Sequence, residues 1–231
     1  MMNIKLVSAK EALVDTMPIV VGVVPFGITC GIMGISSGLT SSETILMSLL
    51  VFAGAAQFIS IAMLGAGITG GIIVFTTLLV NLRHLIMGAS LAPYILKERT
   101  PLQALLAFGL TDESYAITIS KIEKEGYSPD YQLGVHTFLY ITWALSTIVG
   151  VILVKHITDP LKWEIDFIIP ASFLVLLVPR LVDKTSLVVC SISALTAVIG
   201  SLYLPGKWYI ILACLVGSMM GVIWERSFKH A

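Results

Sequence analysis

Charged residues are scarce in this chain, and their scarcity argues against a soluble protein. They make up 12% of the 231 residues, against about 25% in a typical soluble domain. Hydrophobic residues reach 57%, and the mean hydropathy is +0.95. The formal net charge is zero, so no electrostatic field attracts nucleic acid. We therefore expect a protein embedded in a lipid bilayer, with no nucleic-acid partner.

Residues suited to metal or covalent chemistry are also few. The chain has three cysteines, Cys30, Cys190 and Cys214, and all lie in apolar stretches without C-x-x-C spacing. That pattern predicts neither a metal site nor a disulfide framework. The stretch MGAS at 87–90 is only a loose echo of a serine-hydrolase motif. We expect no enzymatic activity, no metal and no cofactor.

Long apolar stretches predict an all-α, polytopic integral membrane protein. A helix needs about 20 residues to cross the hydrocarbon layer, and transmembrane strands would alternate in polarity, which these stretches do not. We expect residues 1–231 to form one transmembrane domain of about eight helices, or seven if 165–180 does not cross. The predicted spans are 16–42, 44–64, 72–96, 100–120, 132–154, 167–179, 185–204 and 208–224.

The lysine and arginine residues of the loops predict the orientation. With eight spans and the N-terminus inside, eight of these residues fall on the inner side and five on the outer side. Cytoplasmic loops carry the excess in membrane proteins. We therefore expect a cytoplasmic membrane protein with both termini in the cytoplasm. Residues 1–15 should form a short cytoplasmic or interfacial segment before the first span.

The first predicted span carries Pro25 and Gly27 near its middle, in the sequence VVPFGITCG. Proline cannot donate a backbone N–H and clashes with the preceding turn. We therefore expect a broken first span whose freed amides and carbonyls face protein or water. A mere kink is the alternative.

Arg83 is the most unusual residue, because the 39 residues before it contain no Asp, Glu, Lys or Arg. Spans three and four form an antiparallel hairpin in this interpretation, with its tip at 97–99. Helical rise then places Arg83 level with Glu113. The neighbouring His84 comes level with Asp112. An isolated charge at the bilayer centre costs about 2.5–3.5 kcal/mol, so Arg83 should pair with one of these two acids, and the sequence leaves both open.

These residues predict a site for a small anionic or zwitterionic solute. A guanidinium can hold a carboxylate through two parallel hydrogen bonds, while a nearby acid can receive an ammonium group or a proton. The substrate-binding candidates are Arg83, Gln57, Pro25, Gly27 and Asn81, and the proton-coupling candidates are Asp112, Glu113 and His84. The alternative is a static ion pair that fixes two helices, with Gln57 and Asn81 as ordinary interhelical hydrogen-bonding residues.

Five stretches, in this order along the chain, resemble the AzlC family of large subunits of branched-chain amino acid exporters. They are MPIVVGVVPFGITCG (17–31), VFAGAAQF (51–58), NLRHLIMGASLAP (81–93), LTDESYAI (110–117) and DFIIPASFLVLLVP (166–179). The resemblance implies export of leucine, isoleucine and valine driven by the proton gradient. It also implies a partner, a small hydrophobic membrane subunit of the AzlD type. We expect alternating access around the central plane.

Two other functions stay open at this point. A carrier or channel for another small anionic or zwitterionic solute is the first, although a channel would favour rings of like charge or a selectivity filter. The few intramembrane charges here are opposite in sign. A subunit with no transport activity of its own is the second, and activity measured with and without a partner would distinguish it.

Overall fold

The computed structural model is built from helices arranged in two compact units. It describes residues 2–156, 174, 177–178, 181–204 and 208–229. The first unit covers Met1–Ile168 and the second Ile169–Ala231. Over the described ranges there are no strands, which confirms the all-α prediction. The predicted span at 167–179 lies largely outside these ranges.

The helices of the first unit account for most of the described chain. They are α1 (Met2–Ser36), α2 (Ser41–Leu50), α3 (Gly54–Gly65), α4 (Gly70–Ile95), α5 (Thr100–Phe108), α6 (Asp112–Glu125) and α7 (Pro129–His156). The second unit contains α8 (Lys184–Tyr203) and α9 (Trp208–Lys229). Four stretches are long and apolar enough to cross a membrane: Ala9–Ser36, Gly70–Ile95, Pro129–Val154 and Lys184–Tyr203. They match the first, third, fifth and seventh predicted spans, while the total number of spans stays a prediction.

Helices α1 and α7 lie side by side in parallel and form the core of the first unit. Near the start of α7, the Tyr131 hydroxyl donates to the Asp15 carboxylate of α1 over 2.6 Å. Further along, Gly31 lies directly against the backbone of Gly150 and Val151. A β-carbon on Gly31 would come within 2.8 Å of the Val151 amide nitrogen. Small residues permit this close approach of two helices.

Helices α2 and α3 form a hairpin. Its two outer ends lie together at the end of the unit where α1 finishes. The chain enters α2 after the end of α1, reverses at residues 51–53, and runs back through α3. At its far end, Gly65 reaches the Ser37 side chain. Across the hairpin, the Gln57 amide donates to the Ser48 hydroxyl over 2.9 Å. We call α2–α3 the first hairpin.

Helices α5 and α6 form a second hairpin, which enters from the end of the unit where α1 begins, here called the N-terminal end. Near the last turn of α6, Lys121 bonds with Glu11 of α1 over 3.3 Å. The rings of Tyr94 and Tyr127 lie 5.4 Å apart, so α6 runs in the same direction as the second half of α4. Because Tyr94 lies in the last turn of α4, the same contact places the α4–α5 turn at this end too. Burial and the Glu98 carboxylate raise the pKa of Tyr127 to about 12.

The first unit therefore contains one motif twice, in opposite orientations. Each copy is a long helix, a four-residue turn and a hairpin with a three-residue break, over residues 2–65 and 70–125. The short helices have 10, 12, 9 and 14 residues. At 1.5 Å per residue they reach about half to two-thirds of the way through a hydrocarbon layer of about 30 Å. Inverted repeats in transporters place substrate sites near the bilayer midplane.

The prediction of crossing helices at 44–64 and 100–120 is wrong. Both segments are apolar enough to cross, but the backbone reverses within each of them. Phe52 adopts a φ of +42° in the first, and Thr111 starts a new helix in the second. The turn at 97–99 consequently lies at the N-terminal end, whereas an eight-span topology places it at the opposite end.

The prediction of a broken first span is also wrong, because α1 is continuous through Pro18 and Pro25. Residues 2–15 are the first part of this helix rather than a separate one. Proline removes only the one backbone hydrogen bond that its own nitrogen would donate. Close packing on α7 keeps α1 in place. Membrane helices tolerate proline where neighbouring groups provide such support.

The second unit is an antiparallel pair of helices. Gly200 of α8 lies against Tyr209 of α9, and Gly217 lies against Ser193. Helix α8 begins with Asp183 as its N-cap, whose carboxylate accepts a hydrogen bond from the Ser186 N–H over 2.8 Å. Glycine at the contact lets the two helices approach closely.

Candidate functional site

The tips of the two hairpins meet beside the middle of α7. The Phe52 and Phe108 rings lie 6.3 Å apart. The Tyr140 ring lies 5.1 Å from Phe52 and 5.9 Å from Phe108. The Tyr140 hydroxyl donates to the Leu49 carbonyl over 2.9 Å, which satisfies an acceptor at the end of α2. We call Phe52, Phe108 and Tyr140 the tip cluster.

The second break, between α5 and α6, is a well-bonded turn. The Thr111 hydroxyl accepts from the Ser114 N–H over 3.2 Å, and the Ser114 hydroxyl accepts from the Thr111 N–H over 2.8 Å. The Ser114 hydroxyl also donates to the Gly109 carbonyl over 3.1 Å. This reciprocal capping satisfies groups that a helix interruption would leave bare. The new helix therefore starts at a defined residue, Asp112.

The first break, between α2 and α3, is less regular. The backbone of Phe52 lies in the left-handed region, which is uncommon for a bulky residue. The N-cap of α3, Ala53, provides no side-chain hydrogen bond. Phe52 is only 5% exposed, so packing in the tip cluster holds this conformation. Backbone strain of this kind persists where the surroundings enforce it.

Arg83 and Asp112 form an ion pair at the tip of the second hairpin. Nη1 of Arg83 donates to Oδ2 of Asp112, and the two side chains are 32% and 22% exposed. Asp112 is the first residue of α6, where the helix dipole also favours a carboxylate. The predicted pairing of Arg83 with an acid is confirmed. Among the described residues, Nε of Arg83 is buried without a hydrogen-bond partner, so the guanidinium keeps a donor for another anion.

The remaining charged candidates surround this pair. His84 is half-buried and follows Arg83 on α4. Its imidazole lies within electrostatic range of Asp112 and Glu113. Glu113 is exposed in the first turn of α6. The Asn81 side-chain oxygen is buried with no hydrogen-bond partner in the described part of the chain. The structure thus brings Arg83, His84, Asp112 and Glu113 together, whereas Asn81 lies on another face of α4. Their roles in binding and proton coupling stay predictions.

Gln57 lies elsewhere in the first unit and is fully engaged. It is 0% exposed, donates to the Ser48 hydroxyl, and accepts from the Trp143 indole N–H over 3.0 Å. The Ser48 and Thr147 hydroxyls lie 3.0 Å apart. This network ties both helices of the first hairpin to α7. This geometry fits the alternative prediction for Gln57, that it is an ordinary interhelical hydrogen-bonding residue and does not bind substrate.

The structure removes the reason for predicting that Pro25 and Gly27 bind substrate. Their assignment depended on backbone amides freed by a break, and α1 is continuous there. Pro25 is exposed. Gly27 is buried against α7, where an added β-carbon would meet the Ser146 side chain and the Trp143 carbonyl. Gly27 therefore allows close packing of α1 on α7.

Comparison with known proteins places the chain in a family. The family described as AzlC protein matches residues 18–157. The chain belongs to the AzlC family. It is 35% identical to an uncharacterized membrane protein of Archaeoglobus fulgidus, over 74% of this chain and 75% of the relative. No solved structure matches.

Two further relatives of this AzlC family member have informative names. It is 28% identical to the inner membrane protein YgaZ of Escherichia coli K12, over 92% of this chain and 87% of the relative. It is 29% identical to the branched-chain amino acid transport protein AzlC of Bacillus subtilis 168, over 93% and 83% of the two chains. Together with the apolar helices, these relatives show that the chain is a membrane protein.

Sequence reasoning overlooked two buried polar residues on α7, His136 and Gln132. They are 3% and 0% exposed, and His136 packs on Gly109 in the second break. Neither residue interrupts an apolar stretch with a formal charge, so a search for charges did not find them. Their four-residue spacing, which continues to Tyr140, was the available signal.

The described residues contain no group of three or more His, Cys, Asp or Glu side chains arranged to hold a metal ion. The candidate site offers hydrogen-bond donors, the Arg83–Asp112 ion pair and the nearby His84. Such a set can bind and release a charged solute or a proton.

Proposed function

We propose that this AzlC family member is a secondary transporter that exports branched-chain amino acids across the bacterial cytoplasmic membrane, coupled to proton entry. The observation that carries this proposal is the Arg83–Asp112 pair at the tip of an inverted hairpin, level with the tip cluster. The name of the Bacillus subtilis relative supports the substrate class. We also propose a small AzlD-type membrane subunit as partner.

The second repeat would bind the charged end of the substrate. A guanidinium that bonds Asp112 through one nitrogen can still donate to a substrate carboxylate through its other N–H groups. The Asn81 side-chain oxygen is also unpartnered among the described residues, but two residues apart on one helix it points away from Arg83, so the ammonium group would be held by the neighbouring acids instead. The N-terminus of α6 adds a partial positive charge for the carboxylate.

The first repeat would accommodate the aliphatic side chain. Arg83 lies 12 residues before the end of α4, and Val24 lies 12 residues before the end of α1. Asp112 begins α6, and Gly54 begins α3. The ion pair of the second repeat thus corresponds to an apolar pair in the first. This asymmetry suits an amino acid with a zwitterionic head and a hydrocarbon side chain.

Proton coupling would act through the ion pair. A proton on Asp112 would remove its negative charge and weaken its bond to Arg83, which frees the guanidinium for substrate or releases the α6 tip. Glu113 and His84, which lie within electrostatic range of each other and of Asp112, would exchange the proton with Asp112 through water. The two hairpins are the elements that would move relative to α1 and α7 during alternating access.

The corrected topology also supports a cytoplasmic N-terminal end. Within the first unit, that end carries the exposed basic residues Lys10, Lys97, Arg99 and Lys124, together with Lys121. The turns at the opposite end, 37–40 and 66–69, contain no lysine or arginine. An excess of basic residues marks the cytoplasmic side.

The test is leucine counterflow in proteoliposomes. The purified chain, with and without an AzlD-type subunit, is reconstituted with unlabelled leucine inside and labelled leucine outside. We expect saturable counterflow that Arg83→Ala abolishes and Arg83→Lys strongly reduces, because lysine cannot reproduce the planar guanidinium. Arg99→Ala is the matched control, since Arg99 is exposed in the α4–α5 turn, and it should retain wild-type counterflow.

Two outcomes would contradict the proposal. Absence of counterflow with leucine, isoleucine and valine, even with the partner present, would remove the branched-chain assignment. Flux that neither saturates nor shows counterflow would indicate a channel.

A further inference from the structure

A polar stripe runs along the face of α7 that meets the hairpins. It consists of Gln132, His136, Tyr140, Trp143 and Thr147, spaced four, four, three and four residues apart. This spacing keeps all five on one side of a helix. The stripe therefore lines both hairpins, from the N-terminal end of the unit toward its opposite end.

Three members of the stripe have their side-chain polar groups hydrogen-bonded within the unit. Tyr140 bonds the Leu49 carbonyl, and Trp143 bonds Gln57. Thr147 bonds the Trp143 carbonyl over 3.0 Å and approaches Ser48. These three residues have a structural role that needs no ligand.

The other two members are buried and incompletely satisfied. In the described part of the chain, neither Oε1 of Gln132 nor Nδ1 of His136 has a hydrogen-bond partner. Their side chains approach each other through Nε2 of each residue, at 3.5 Å. A buried polar atom without a partner costs about 1–3 kcal/mol, so two adjacent ones indicate a site that something else completes.

The unpartnered edge of His136 faces the second break. A β-carbon built on Gly109 would fall on the His136 ring, with Nδ1 as its nearest atom. Gly109 ends α5 and lies three residues before Asp112. Any change in charge at this ring therefore acts directly on the turn that presents the ion pair.

The titratable groups on the elements packed around this part of α7 have other partners or lie exposed. On α1, Asp15 is held by Tyr131 and Glu11 by Lys121. On α6, Asp112 is held by Arg83, Lys121 also bonds Glu125, and Glu113 is exposed.

We infer that His136 is a proton-binding residue of the transport cycle, in addition to the residues around Arg83. The inference rests on the proposed function and extends its coupling mechanism to the second break. His136 would take a proton from water on one side of the membrane and return it to water on the other. The added N–H would find an acceptor in Oε1 of Gln132 once the Gln132 amide turns over, which exchanges its nitrogen and oxygen.

The position also favours a transient positive charge. The last carbonyls of α5 carry partial negative charge at the point where His136 meets Gly109. A protonated imidazole would attract this helix end and, three residues on, would also attract Asp112. Proton binding would thus shift the tip of the second hairpin relative to Arg83, which links the proton to the substrate site.

The transport test compares leucine accumulation with leucine counterflow in the same proteoliposomes. With the interior about one pH unit more acidic, an antiporter that exchanges one proton per leucine sustains about a tenfold leucine ratio. We expect His136→Gln to lower this ratio to about one, and to reduce counterflow far less. Thr137→Val is the control, because Thr137 is the exposed neighbour that bonds only its own helix, and it should match wild type in both measurements. A wild-type accumulation ratio in His136→Gln would overturn the inference.

A second measurement keeps the inference testable if His136→Gln fails to fold or if leucine is not the substrate. Nuclear magnetic resonance of histidine-labelled protein in nanodiscs assigns the His136 signal by its absence in His136→Asn. We expect the wild-type signal to titrate between about pH 4 and pH 7. A His136 signal that stays unchanged over this range would overturn the inference. Absence of leucine counterflow in wild type would instead count against the proposed function.

Discussion

At the residue scale, Arg83 shows both the strength and the limit of sequence reasoning. Its isolation in an apolar stretch was enough to predict an acidic partner, because an unpaired intramembrane charge is costly. The choice of partner needed the structure. Successive residues of a helix point about 100° apart, so Asp112 and Glu113 cannot both face Arg83. The capped start of α6 turns Asp112 toward the arginine.

His136 was not predictable by the same route. A histidine in an apolar helix is an ordinary core residue unless its partners are known. Only the packing of Gly109 on the ring, together with the unpartnered nitrogen, distinguishes it. Gln57 shows the opposite case, since a polar residue that seemed suited to substrate has all its partners within the protein.

We predict that Gln57→Leu destabilises the first hairpin by about 1–3 kcal/mol, because it leaves the buried Trp143 indole N–H without an acceptor. Thermal unfolding in detergent, followed by a thiol-reactive dye at the native cysteines, measures the change. The matched control is Gln103→Leu, whose amide bonds the Glu98 carbonyl at a surface turn. It should cost less, since water can replace that bond. Equal melting temperatures for the two variants would contradict the structural role of Gln57.

At the element scale, apolar length predicted the long helices but not the hairpins. The segments 44–64 and 100–120 each have enough apolar residues to cross, and nothing in their hydropathy shows a reversal. A local signal was present in the second: Gly109 followed by Thr111-x-x-Ser114 is a helix stop followed by a helix start. The first lacks such a signal, because its reversal occurs at Phe52 and depends on packing in the tip cluster.

At Pro25 the sequence predicted a break that the structure does not have. The chemistry of proline predicts a broken helix in isolation, yet the contact with α7 keeps α1 continuous. Tertiary packing therefore outweighs the local cost of about 3 kcal/mol that proline carries inside a helix.

The α1–α7 contact yields a paired prediction on one helix. Gly31→Ala should destabilise the protein by about 1–3 kcal/mol, because its β-carbon would meet backbone rather than a movable side chain. Gly22→Ala, on the same helix, meets no atom within 4 Å. It should be neutral or stabilise by about 0.5–1 kcal/mol through helix propensity. Melting temperatures of both variants provide the comparison, and a Gly31→Ala variant as stable as Gly22→Ala would rule out this packing.

At the scale of the whole molecule, the predicted proximity of Arg83 to Asp112 does not depend on the eight-span topology from which it was derived. The eight-span prediction brought them together by an antiparallel hairpin of full length. In the structure α6 runs parallel to α4. Both arrangements place Asp112 at mid-depth, because the chain from the 97–99 turn to Asp112 is too short to pass far beyond it. The inverted repeat itself could not be recognised, because its two copies share a pattern of helices rather than of residues.

The most direct test of the inverted hairpins is the sidedness of three single cysteines, placed at Lys10, Thr69 and Lys97 in a chain whose native cysteines are replaced. All three side chains are exposed. Labelling uses a membrane-impermeant maleimide on intact cells and on everted vesicles. The re-entrant topology predicts that positions 10 and 97 react from one side and position 69 from the other. Reaction of positions 10 and 69 from the same side, with 97 opposite, would contradict it and restore the eight-span arrangement.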